Sequence, residues 1–119
     1  MPKRGDREFI SDIKEATERI KKYTTDMSYE TFLQDIKTQD AVIRNIEIIG
    51  EAAKNLSSDF RKKHRHVDWK KIAGMRDKII HYYFGVKWDI VWAVIKDKIP
   101  ALSEQINNIL NELTNSDEA

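Results

Sequence analysis

An all-α fold, a compact up-and-down helical bundle, is what this sequence predicts, and three observations predict it. Only four Gly and two Pro interrupt the chain, and helix formers dominate between them. Apolar residues recur at three- and four-residue steps through several long segments, the period of a helix with one buried face. No strand-like alternation, internal repeat or low-complexity tract is present. At 119 residues the chain reads as one domain, 1–119, able to bury about two-thirds of its unfolded surface without staples.

The elements follow in order. A first helix is expected from Asp6 to Tyr23, with Phe9, Ile13, Ala16, Ile20 and Tyr23 on its core stripe. Met27–Leu33 reads as a short linking helix, with Ser28 its cap. A second long helix runs from Thr38 to Leu56, buried through Val42, Ile46, Ile49, Ala53 and Leu56. Its opposite stripe, Asp40, Arg44, Glu47, Glu51 and Asn55, is polar. That stripe is either a solvated face braced by Asp40–Arg44 and Arg44–Glu47 pairs or the lining of a cleft. Gly50 inside this helix costs about 1 kcal/mol relative to Ala, which hints at close packing there. Ser57–Asp68 reads as a loop. A third helix spans Trp69 to Gly85, the glycine serving as its C-terminal cap. A fourth covers Trp88 to Lys98, and Pro100 opens a last one carrying Leu102, Ile106, Ile109, Leu110 and Leu113.

Composition narrows the chemistry. The chain has no Cys, which excludes disulfides, thiolate metal sites and a Cys nucleophile and suits a reducing compartment. The polar start MPKRGDREFI lacks the apolar core of a signal peptide, and no apolar run approaches the ~20 residues of a membrane span. A cytoplasmic protein without membrane attachment is expected. With 21 Lys and Arg against 20 Asp and Glu, anion binding must come from local clustering. The run Arg61, Lys62, Lys63, Arg65, Lys70 and Lys71 supplies a cluster, readable as a solvated loop or as a landing strip for phosphates. His64 and His66 have no carboxylate or Cys companions at ligand spacing, so no metal site is assigned and no cofactor is expected. Trp69, Trp88 and Trp92 are read as bundle anchors rather than base-stacking groups.

One stretch concentrates polar groups: Gly74-Met-Arg-Asp-Lys-Ile-Ile-His-Tyr-Tyr-Phe-Gly85. At about 100° per residue, Arg76 and Tyr83 share a helix face, while Asp77 lies one turn before His81 and can fix its tautomer. Arg76 and His81 diverge by about 140°, so they meet in one site only across a broad cleft, a distorted helix end or a subunit boundary. A place in the last turn favours the imidazolium through the helix dipole, and Asp77 pushes the same way. Such a histidine shuttles protons near neutral pH. The plainer alternative is a histidine that caps its helix end.

The spacing Arg76–His81–Tyr83 resembles the signature of the HEPN superfamily. Its flanks, Ala41–Leu56, Val67–Gly85 and Trp88–Trp92 with Ile99-Pro100, are similar to one branch, the HepT ribonuclease toxins that pair with minimal nucleotidyltransferase antitoxins (MntA type). The likeness spans most of residues 36–113. It implies a HEPN-like four-helix core plus a short extra helix, a homodimer, and metal-independent cleavage of RNA. In the implied roles His81 takes the proton of the ribose 2′-hydroxyl and Arg76 meets the charge on phosphorus. Tyr83 positions the phosphate or base, while Asp77, Arg44 and Glu47 support them from behind. For an RNA substrate, the basic cluster read above offers Lys62, Lys63, Arg65, Lys70 and Lys71 as the RNA-binding patch, if it is more than a solvated loop. The branch also implies that the antitoxin attaches AMP to Tyr83, with Tyr82 the rival acceptor. The competing readings are a non-catalytic module that docks a nucleotidyltransferase and binds its nucleotide or a phosphate, and a scaffold whose motif is structural.

Overall fold

A computed structural model describes residues 4–79 and 85–118. Among these every regular element is helical. Helix α1, Asp6–Thr24, begins where the Gly5 N–H donates to Glu8 Oε2 at 2.9 Å, satisfying an amide that the first turn leaves without a partner. Ile10, Ile13, Ala16 and Ile20 are buried as their spacing requires. Tyr23, expected on the same stripe, is 40% exposed; Thr24 turns inward instead and donates to the Ile20 carbonyl at 2.8 Å. Phe9, also expected in the core, is only half-buried.

Helix α2, Tyr29–Gln34, starts from Ser28, whose Oγ accepts from the Thr31 amide at 3.1 Å. Helix α3 runs from Ile36 to Asn55, two residues earlier at its start than expected. Asp35 caps it: the Thr38 amide donates to Asp35 Oδ1 at 3.0 Å, and that bond holds the Asp35 carboxyl below its usual range. Val42, Ile46, Ile49, Ala53 and Leu56 are all buried, each of the larger ones stabilising the fold by about 1.5–3 kcal/mol. Helix α3 packs on α1, and α1 in turn on the last helix, α8, Ile99–Glu118.

The expected loop after α3 contains a helix, α4, Ser58–Lys63. Ser57 caps it by accepting from the Phe60 amide at 3.1 Å, and Phe60 is its one buried apolar anchor. A single anchor makes no periodicity, so sequence pattern misses such a turn. Asp6 at the head of α1 ties this junction down. Its carboxylate accepts from both the amide and the hydroxyl of Ser57 at 2.7 Å.

The expected third helix is divided. Helix α5, Trp69–Ala73, and helix α6, Met75–Ile79, meet at Gly74, which has φ −89° and ψ 0°. Gly74 still accepts from the Lys78 amide and donates to the Lys70 carbonyl, so the junction is a kink between helical segments rather than a loop. The remainder of that expected helix lies outside the described residues. Gly85, expected as its cap, has φ 112°, a region that favours glycine.

Pro100 does not start a new helix. Helix α7, Trp88–Ala93, passes through a π-helical turn, Val94–Lys98, directly into α8, Ile99–Glu118. A proline inside a helix clashes with the carbonyl four residues earlier. In the wider turn just before Pro100, the Ile99 amide bonds Val94 five residues back, which makes room for the ring. Phe32 is fully buried, with Trp88 and Trp92 against it at centroid distances of 5.8 and 5.2 Å. Trp69 is buried and donates its indole N–H to the His64 carbonyl at 3.1 Å. All three tryptophans therefore anchor packing, as expected. No helix among the described residues is long and apolar enough to cross a membrane.

Candidate functional site

The polar stripe of α3 lines a cleft. Between α1 on one side and α6 on the other lies an open groove of about 340 Å³ whose floor is Arg44, Glu47, Glu51 and Asn55. Arg76 stands on the α6 wall, and Arg4, Phe9 and Asp12 form the opposite one. A second hollow of about 440 Å³, at the junction of α2 and α3, is lined by Glu30, Thr31 and Gln34 and holds none of the candidate residues.

Charge in the groove is paired differently from the sequence expectation. Among the described residues Arg44 makes no ion pair, so the expected Asp40–Arg44 and Arg44–Glu47 braces are absent. Glu47 turns instead to Arg76, whose Nε lies 3.7 Å from Glu47 Oε1. The other side of the Arg76 guanidinium donates from Nη1 to Asp77 Oδ1 at 3.3 Å. Two carboxylates thus hold one guanidinium at the groove wall, and a second guanidinium remains without a carboxylate on the floor. Such groups meet phosphate oxygens with paired donors.

Local packing explains the position of Arg76. A Cβ built on Gly50 would come within 3.3 Å of the Ala73 carbonyl oxygen. Helix α5 therefore rests with its last turn directly against the α3 backbone, and the Gly74 kink sends α6 off beside the polar stripe. The close packing expected at Gly50 is present.

His81, Tyr82 and Tyr83 lie outside the described residues, so the Arg76–His81 and Asp77–His81 relationships are not geometric findings. Lys62, Lys63, Arg65, Lys70 and Lys71 are all exposed, on α4, α5 and the turn between them. Helix α5 leads straight into α6, but none of the five lines the groove.

Two buried polar groups escaped the sequence reading. His64, 3% exposed, stacks on Phe60 at 4.5 Å, and its Nδ1 lies 4.0 Å from Glu112 Oε2. Burial pushes its pKa down, against the pull of Glu112 and with the repulsion of His66 and Lys63. Its Nε2 has no partner among the described residues. Asn45, also buried, donates to the Ala41 carbonyl at 2.8 Å while its Oδ1 is unpartnered among the described residues. Glu112 is far from His64 in sequence, and no local spacing signals that contact.

A helical bundle with guanidinium and carboxylate groups collected along one open groove defines a class of protein with a polar, charge-lined cleft between its helices. The chain belongs to the ribonuclease HepT-like family, whose model matches residues 13–109. It is 45% identical to a protein of Methanocaldococcus jannaschii that carries an RNase name, over 99% of this chain and 98% of that one. It is also 45% identical to a Thermococcus cleftensis protein named as a ribonuclease HepT, over 90% of this chain and 97% of the other. A Caldanaerobacter subterraneus protein, again with an RNase name, is 44% identical over 89% of this chain and 95% of its own length. No solved structure matches the chain.

Proposed function

We propose that this chain is a metal-independent endoribonuclease, the toxin of a toxin–antitoxin pair. The observation that carries the reading is the pairing in the groove: Arg76 held by Glu47 at 3.7 Å, beside an Arg44 that has no carboxylate partner among the described residues. A metal-free cut needs an internal nucleophile, which the ribose 2′-hydroxyl provides. His81 takes its proton, the oxygen bonds to phosphorus, and the bond from phosphorus to the 5′-oxygen breaks as that oxygen gains a proton. The products are a 2′,3′-cyclic phosphate and a 5′-hydroxyl. Arg76 meets the charge that builds on the phosphoryl oxygens, and Arg44 holds a phosphate of the bound strand.

In this reading the protein works as a homodimer in which Arg76 of one subunit serves near His81 of the other, which resolves their angular divergence. Tyr83 positions the phosphate or base and accepts AMP from a minimal nucleotidyltransferase antitoxin. The added nucleotide blocks the groove and competes with RNA phosphates for its guanidinium groups. Lys62, Lys63, Arg65, Lys70 and Lys71 draw RNA to the surface before it enters the groove.

Purified protein incubated with end-labelled RNA in EDTA tests the reading. Fragments ending in cyclic phosphate are expected, and His81→Ala is expected to abolish them. Cutting that persists in His81→Ala, or that EDTA stops, overturns it.

A further inference from the structure

We infer that the groove contains a nucleobase subsite, with Phe9 as its stacking platform and Glu51 as the group that reads the base edge, and that the base it selects is guanine. The substrate class rests on the ribonuclease reading; the subsite itself rests on four features of the groove.

Phe9 is the first. Its angle on α1 belongs to the core stripe, yet the ring is half-buried and lines the groove. The Arg4 guanidinium lies over the ring, 5.3 Å from its centroid, on an exposed side chain tied to Asp12 at 2.6 Å. A cation over a ring at an exposed site is a weak contact, and a base stacks on the same face more strongly. The entering base takes the place of Arg4 and frees that cation for a backbone phosphate.

Size is the second. At about 340 Å³ the groove sits at the lower end of the range of small-molecule sites, about 300–1,000 Å³, and so suits one nucleotide rather than a longer segment.

Polarity is the third. Glu51 lines the floor, and its carboxylate has no ion-pair partner among the described residues. Asn55 beside it donates one amide N–H to the Glu51 carbonyl at 2.8 Å and carries an acceptor oxygen. The edge of the subsite is therefore rich in acceptors. Two adjacent donors satisfy one carboxylate, and among the four RNA bases only guanine presents them, at N1–H and the N2 amino group.

Spacing is the fourth. Arg44 and Glu51 are two turns apart on one helix face, about 10 Å along the axis. That separates a phosphate-binding cation from a base-reading carboxylate by roughly the length of a nucleotide.

The test measures fluorescence anisotropy of labelled 2′-O-methyl uridine-tract oligonucleotides that carry one central guanosine, inosine or adenosine. These probes cannot be cut, so binding is read apart from catalysis. Wild-type protein is expected to bind the guanosine probe about tenfold more tightly than the adenosine probe, with inosine, which lacks the N2 amino group, in between. Phe9→Leu, which keeps the apolar packing, is expected to weaken all three about tenfold. Glu51→Gln should erase the guanosine preference and leave the adenosine probe unaffected, with thermal melts confirming that both variants fold. Equal binding of the three probes by wild type, wild-type affinity in Phe9→Leu, or wild-type selectivity in Glu51→Gln overturns the subsite. Expected binding without cleavage of unmodified RNA would remove the ribonuclease reading alone, whereas cleavage without base selectivity would remove the subsite alone.

Discussion

Arg76 Nε and Glu47 Oε1 lie 3.7 Å apart across the join between α6 and α3, with the two side chains 48% and 35% exposed. An ion pair that open to solvent stabilises a fold by about 0–1 kcal/mol, too little to explain it as a brace. Its consequence is orientation: a long side chain is held over the groove with donors left for a phosphate. Arg76→Lys retains the charge but loses the fork. It is expected to cut RNA at least about 100-fold more slowly while melting within about 1 kcal/mol of wild type. Glu47→Gln should lower kcat about tenfold with KM nearly unchanged, because it loosens a guanidinium without removing it. Single-turnover kinetics with thermal melts of both variants decide the matter; a large loss of stability with intact kcat would reverse the assignment.

Arg44 is expected to act on binding rather than on chemistry. It lies on the groove floor without an ion pair among the described residues, so replacing it leaves no buried charge behind. Arg44→Gln should raise KM several-fold and reduce the slope of log affinity against log salt by about one, the signature of one lost phosphate contact. A salt series on wild type and variant measures this. An unchanged slope would remove Arg44 from the phosphate path.

The helical class was legible because α1, α3 and α8 each carry an apolar stripe long enough to average out local exceptions. Elements failed where few residues decide. The turn α4 has one cap, Ser57, and one buried apolar residue of its own, Phe60. The division at Gly74 and the π-helical turn before Pro100 depend on packing that no periodicity records. At the site, the polar stripe of α3 was visible, but its partner was not. Spacing alone leaves Glu47 open between a brace to Arg44 on its own helix and a cleft lining, and the tertiary contact with Arg76 decides for the cleft. His64 was read as a loop residue because Glu112 and Phe60, its neighbours in space, share no spacing that links all three to one face.

Gly50 separates stability from positioning. A methyl group there would meet the Ala73 carbonyl at 3.3 Å, so that backbone atom must move by a few tenths of an ångström. Gly50→Ala gains about 1 kcal/mol of helix propensity against an overpacking cost of about 1–3 kcal/mol. The expected net destabilisation is about 1 kcal/mol. Because the shifted segment leads through Gly74 to Arg76, cleavage should fall by about tenfold or more, beyond what the small loss of folded protein explains. Chemical denaturation and activity measured on the same preparation test this; full activity alongside lowered stability would show that α6 is positioned independently of α5.

His64 gives the fold a pH limit with a definite direction. Burial lowers the pKa of the folded-state imidazole below its ordinary 6.5, Glu112 opposes that shift, and His66 and Lys63 reinforce it. The unfolded chain therefore binds the proton more readily than the folded one. Stability is fully present above the unfolded-state pKa and declines as pH falls from there toward the folded-state value. Below that range the ring is charged in both states and its contribution stays lost. Wild-type Tm is expected to drop as pH is lowered through this window. His64→Leu, which keeps the ring's apolar contact with Phe60 in part and cannot take a proton, should melt with a flatter profile across the same window. A His64→Leu profile as steep as wild type would assign the acid sensitivity to another group.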